Sequence, residues 1–137
     1  MSQLGLADAA ARLIGRPFRL HGRDPATGLD CIGMVAAALA ATGVNPHAPT
    51  GYRLRNLAID QWLHFATRSG LVAAPGPILT GDVLLITLGH CQHHLAIAAG
   101  EASIIHAHAG LGKVVRQPRD PAWPICAKWR AALLTES

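Results

Sequence analysis

The sequence is short of aromatic residues, of charge, of cysteine and of long apolar runs, and each shortage narrows what the chain can be. With two Phe, three Trp and one Tyr, the core must be built from Ala and branched aliphatic side chains, which lets helices and strands approach closely. Charged residues fill only 15% of the 137 positions while half are hydrophobic. A disordered chain has the opposite balance, so one globular domain over residues 1–137 is expected. No stretch reaches the roughly 20 unbroken apolar residues of a membrane span, so no membrane insertion is expected. The opening MSQLGLADAAARLIG lacks the basic start, continuous apolar segment and small-residue cleavage site of a secretory signal, and synthesis in the cytoplasm is the expectation. Three cysteines, Cys31, Cys91 and Cys126, are an odd number without paired spacing, which argues against a disulfide framework and leaves at least one thiol free. The net charge is +4, suited to anionic surroundings. Arg12, Arg16, Arg19, Arg23, Arg53, Arg55 and Arg68 are scattered and not interleaved with aromatics, so nucleic acid is not an expected partner.

What is present has helices first and strands second. Leu6, Ala10, Leu13 and Ile14 fall at helical spacing within residues 3–15, which end at Gly15 and Pro17. Residues 16–29 carry Pro17, Gly22, Pro25 and Gly28 and read as an ordered loop. Asp30 is placed to cap a helix from Cys31 to Thr42, closed by Gly43. A third helix is expected over 54–69, with Leu54, Leu57, Ala58, Trp62 and Phe65 on one stripe. Beyond the Pro75-Gly76-Pro77 break, GDVLLITL, HLAIAAG, ASIIHAHA and KVVRQ read as strands, and ICAKWRAAL as strand or mixed. That order predicts an α+β domain with N-terminal helices packed on a C-terminal antiparallel sheet.

Cys31 opens the second helix, where unpaired N–H groups and the positive end of the helix dipole favour a thiolate and can hold an oxyanion. The competing reading is a buried cysteine acting as a small hydrophobe. His94 and His106 stand twelve positions apart on two strands flanking Gly100. An odd loop such as Ala99-Gly100-Glu101 places them opposite one another on one face, and an even loop places them on opposite faces. With an odd loop, the His94 face continues with Ala96 and Ala98, small enough for a helix to pack on, while Leu95, Ile97 and Ile105 fill the other side. His94 then serves as base within hydrogen-bonding reach of the Cys31 sulfur, and His106 orients it. His90, Cys91, His93, His94, His106 and His108 also invite a zinc reading, but no C-x-x-C or H-E-x-x-H accompanies them. No metal or other cofactor is expected. His90 and His93 are assigned to the site mouth or surface, His21, His47 and His64 to the surface, and Cys91 and Cys126 to structural positions.

Four motifs in order, GRPFRLHGRDPATGLDCIGMV, LTGDVLLI, HLAIAAG and IIHAHAG, resemble those of the NlpC/p60 family of cysteine peptidases over Ala10 to Val115. The resemblance implies a papain-like α+β fold, Cys31 as nucleophile, His94 as base and His106 as the third polar residue. It implies cleavage of peptidoglycan stem peptides, often between D-γ-glutamyl and diaminopimelate. The family usually has Tyr, with an oxyanion-site hydroxyl, where this chain has Phe18. That leaves backbone N–H groups or His21 to do the work. Asp30, Phe18 and His21 are expected at the substrate, with Tyr52 from the arm around His47–Arg55. GRDPATGLDC resembles members carried on phage tails and gene-transfer-agent particles. Expected partners are therefore cell-wall peptide and tail or baseplate proteins, with delivery by the particle to the periplasm or wall. Two rival readings stand beside this one: a tail component of the same fold without catalysis, and an amidase or acyltransferase with another substrate.

Overall fold

The computed structural model describes residues 5–46, 59–89 and 92–131. Helix α1 (Leu6–Ala11) buries Leu6, Ala9 and Ala10. A two-stranded ribbon follows, β1 (Arg23–Asp24) against β2 (Gly28–Leu29), inside the segment expected to be loop. Helix α2 (Cys31–Ala41) is capped by Asp30, whose side chain accepts the Gly33 N–H at 2.7 Å. It ends where Gly43 turns to φ 96°, with Gly43 N–H donating to Ala40 and Val44 N–H to Leu39, the paired bonds of a glycine-terminated helix. Nearly all of α2 is buried, so it is apolar all round rather than striped. Helix α3 (Ile59–Arg68) is amphipathic, with Trp62, Phe65 and Ala66 inward and Leu63, His64 and Arg68 outward. The expected stripe residues Leu54, Leu57 and Ala58 lie outside the described residues.

The strands are β3 (Leu71–Ala73), β4 (Val83–Gly89), β5 (Gln92–Ala98), β6 (Ser103–His108), β7 (Lys113–Pro118) and β8 (Ile125–Ala131). They form one antiparallel sheet in the order β3-β8-β4-β5-β6-β7. Leu71–Ala73 was not anticipated as a strand; at three residues it has too little pattern to be read. Strand β8 runs through ICAKWRA, which settles the mixed reading of that segment.

Pleating divides the sheet into two faces. Val83, Leu85, Leu95, Ile97, Ile105, Ala107 and Val114 pack with α1 and α2 in the main core. Leu84, Ile86, Ala96 and Ile104 form a second cluster on the other face, covered by Ile78, Trp123 and Ile125. The helices thus pack on the Leu95–Ile97–Ile105 face, not on the Ala96–Ala98 face that the sequence suggested. The physical reason is volume: the bulkier Leu95, Ile97 and Ile105 fill the space under α1 and α2, while Ala96 sits in the smaller cluster on the other face. No helix among the described residues is long and apolar enough to cross a membrane.

Candidate active site

The chain before α2 is laid tightly against its first turn. Phe18 N–H donates to Gly112 O at 2.8 Å, Leu29 N–H to Pro17 O at 2.9 Å, and Pro17 bridges to Lys113, so the loop is fixed to the β7 edge of the sheet. A Cβ on Gly33 would lie 1.9 Å from Gly22 O, and one on Gly22 would lie 2.1 Å from Gly28 O. Glycine is therefore obligatory where the loop backbone crosses the helix start. Asp30, fully buried, accepts from Gly33 N–H at 2.7 Å, His21 N–H at 2.8 Å and Arg23 Nη1 at 3.1 Å. His21 is held at φ 64°, exposed, with its amide anchored on that carboxylate.

Cys31 is completely buried. Burial pushes its thiol up to about 12; the Asp30 charge adds to this, and the backbone N–H groups of Leu95, Ile32 and Cys31 pull the other way. Burial and the Asp30 charge thus favour the neutral thiol over the thiolate expected at the helix start. The dipole and free N–H groups that favour an anion are met first by the capping carboxylate, which is itself an anion one residue from the sulfur.

On the sheet, the β5–β6 connection closes with Ala99 N–H donating to Ser103 O at 2.9 Å, leaving the odd loop Gly100-Glu101-Ala102 rather than Ala99-Gly100-Glu101. His94 and His106 therefore share a face, as an odd loop requires. The register Ile97↔Ile105 and Ala98↔Ile104 makes them diagonal rather than directly opposite neighbours. His94 Nε2 lies 2.6 Å from His106 Nδ1, the rings meeting edge to face with centroids 4.8 Å apart. His106 Nε2 lies 2.7 Å from Gln117 Oε1. Burial brings His94 down to about 3, helped by the charges of His106 and His108. His106 is also lowered by burial, with the Gln117 bond opposing and His108 adding.

The structure thus joins the two histidines and brings Cys31 beside Leu95, the residue after His94. Among the described residues the sulfur makes no hydrogen bond to an imidazole. His94 pairs with Ile86 on the face away from the helices, and Cys31 packs on the helix side.

A sequence model of the NlpC/P60 family matches residues 15–126. This chain belongs to that family. Among solved structures it is similar to the NlpC/p60 domain of the peptidoglycan hydrolase SagA, with 23% identity over 86% of this chain and 90% of that one and a TM-score of 0.57. It is also similar to NlpC2 from Trichomonas vaginalis (18% identity, 96% of this chain, TM-score 0.66), of which it spans 48%. With the peptidoglycan hydrolase RipB from Mycobacterium tuberculosis the identity is 20% over 95% of this chain and 64% of that one, with a TM-score of 0.65. No curated protein matches the chain by sequence. The NlpC/P60 fold, papain-like, is the one the structure shows.

Within this NlpC/P60 domain the remaining expected residues are placed as follows. Phe18 is half-buried against the main core and offers no hydroxyl. Tyr52, His47, His90 and Cys91 lie outside the described residues. His93 faces the helix side, its Nδ1 3.4 Å from Thr87 Oγ1, which in turn lies 2.6 Å from the exposed Cys126 sulfur. His64 lies on the exposed face of α3, 3.3 Å from Arg68 Nη1. Among the described residues no group of three or more His, Cys, Asp or Glu is arranged to hold a metal ion. Gln117 was missed by sequence reasoning. The signal available was alternation in KVVRQ, which puts Lys113, Val115 and Gln117 on the His106 face.

Proposed function

We propose that this chain hydrolyses the peptide stems of bacterial peptidoglycan, with Cys31 as nucleophile, His94 as base and His106 as the group that orients the base. The observation that carries this reading is the His94–His106 bond, formed within a domain whose family membership spans residues 15–126. In the reaction, His94 takes the Cys31 proton and the sulfur adds to an amide carbonyl. The oxyanion is held by backbone N–H groups at the start of α2, and the imidazolium protonates the departing amine. Water, deprotonated by His94, then adds to the thioester and the thiol leaves with that proton. Burial disfavours both the Cys31 thiolate and the His94 imidazolium, so the transfer is uphill until bound substrate changes the surroundings of the pair.

The bond proposed is D-γ-glutamyl–diaminopimelate, with Phe18, His21 and Tyr52 at the substrate; Asp30, expected there, is fully buried and holds the start of α2 instead. The GRDPATGLDC stretch supports reading the chain as a phage-tail or gene-transfer-agent component delivered to the wall by its particle. Mass spectrometry of muropeptides digested by wild type and by Cys31→Ala tests the hydrolase. Cleavage at that bond by wild type, abolished in Cys31→Ala, is the expected result; equal cleavage by both overturns it. His106→Ala should lower turnover by about 10–1000-fold, the scale of a positioned acid–base group. One observation favours a second reading, a fold-preserving component without catalysis: the complete burial of the Cys31 sulfur. Absence of any muropeptide product from wild type would support it.

A further inference from the structure

Gln117 is the polar residue the proposed mechanism leaves unused. It stands on β7, paired with Ile104 and on the same sheet face as His106, and its Oε1 lies 2.7 Å from His106 Nε2. A carboxamide oxygen can only accept, so His106 Nε2 carries the proton. A neutral imidazole has one N–H, which leaves His106 Nδ1 a bare acceptor. The atom 2.6 Å from it, His94 Nε2, must then be the donor. His94 accordingly keeps its single proton on Nε2 and presents a lone pair at Nδ1, the one ring nitrogen not engaged by His106.

The opposite amide orientation reverses every bond in this chain. A Gln117 amide donating to His106 Nε2 would put the protons on His106 Nδ1 and His94 Nδ1, and His94 could accept nothing from a thiol. His106 is 4% exposed, so water is poorly placed to substitute for the amide oxygen. We propose that Gln117 is a positioning residue: through His106 it fixes His94 as the Nε2–H tautomer, with Nδ1 free to take the Cys31 proton. The inference rests on the reading of Cys31 and His94 given above. In the imidazolium state the same bonds persist, because His94 Nε2–H still donates to a neutral His106 and no proton moves along the chain. Among the described residues, Lys113 lies on the same face, paired with His108, and His108 faces His106 itself, with ring centroids 5.5 Å apart. Its Nδ1 accepts Leu111 N–H at 3.0 Å, so it does not compete for His106 Nε2.

The test is long-range ¹H–¹⁵N correlation of the uniformly labelled full chain at neutral pH, with rings assigned by His94→Gln and His106→Gln. Both rings of the wild type are expected to show a protonated Nε2 and an unprotonated Nδ1. Gln117→Met, similar in volume but without the carbonyl, should give averaged nitrogen shifts in both rings and about a tenfold loss of kcat with KM unchanged. Gln117→Glu, which can only accept, should restore the wild-type tautomers and turnover and move the acid limb of the pH–rate profile to higher pH. A protonated Nδ1 in either wild-type ring overturns the proposal. So does a Gln117→Met protein with unchanged tautomers and kcat that has only lost thermal stability. Should Gln117→Met fail to fold, the wild-type shifts and Gln117→Glu decide the matter. The shifts are read without substrate, so a chain that cleaves no muropeptide sinks the hydrolase reading and leaves the tautomer assignment to be judged by itself.

Discussion

At the scale of single residues, Asp30 and Cys31 make opposing demands on the same few backbone groups. The Asp30 carboxylate needs the Gly33 N–H, and a thiolate next to it would need the same positive potential. Burial and the Asp30 charge together hold Cys31 as a neutral thiol, pushed up to about 12 from 9.0. At every pH below that value the native thiolate fraction is therefore smaller than the unfolded chain's. Iodoacetamide should alkylate Cys31 in the native protein more slowly than in urea at pH 8, and peptide mapping reads the site directly. Asp30→Asn keeps a capping oxygen but removes the charge. It should speed native alkylation while costing about 1 kcal/mol, through weaker bonds from His21 N–H and Arg23. Unchanged alkylation in Asp30→Asn would show that burial alone silences the thiol. The sequence made Cys31, His94 and His106 legible because residue type, spacing and family motifs all pointed to them. The protonation state of Cys31 was not legible, since Asp30 was read as a cap and not also as a charge. Nor was Gln117, whose role depends on a strand partner rather than on any motif.

At the scale of elements, the helix that carries the nucleophile is held in place by backbone contact as much as by side chains. In an exposed helix, Gly→Ala gains up to about 1 kcal/mol. At Gly33 the sign inverts, because the new Cβ would fall 1.9 Å from the Gly22 carbonyl oxygen, and a backbone atom cannot rotate away. Gly33→Ala should therefore destabilise by roughly 2–3 kcal/mol, the range of an overpacked site, seen as a lower urea midpoint at unchanged slope. A variant as stable as wild type would mean that the loop over residues 19–24 moves freely off α2. The element boundaries that were legible were those with chemical punctuation: Asp30 before α2, Gly43 after it, Gly100 between β5 and β6. Which face of β5 meets the helix was not. Alternation in HLAIAAG gives two faces but does not say which is inner. The outcome turned on packing against α1 and α2, which lie far from β5 in the chain.

Over the whole molecule, the α+β class and the helix-then-sheet order followed from composition and periodicity, but the path of the sheet did not. Strand β8 returns between β3 and β4, and side-chain bonds that tie it there run from Lys128 and Arg130 to the buried Asp82, groups 46 and 48 positions apart. Such pairings leave no local pattern to read. They do leave a signature in the pH dependence of stability. His94 is lowered from 6.5 to about 3 chiefly by burial, and His106 is lowered by the same cause. Their contribution is whole above the unfolded value and is lost as pH falls through that window, because the unfolded chain binds protons the folded one refuses. Asp82 is pushed up by burial but held lower overall by Arg130, Leu79 N–H and Lys128. Its contribution is lost at still lower pH, as the carboxylate protonates below 3.8. Each histidine that stays neutral in the folded state makes stability fall by about 1.4 kcal/mol per pH unit. Urea unfolding at pH 7.5, 5.5 and 4 should therefore show a steep acid loss starting near 6.5, and His94→Gln should flatten it by about 1.4 kcal/mol per unit between there and pH 4. Equal slopes for the two proteins would mean that the folded site admits a proton at His94.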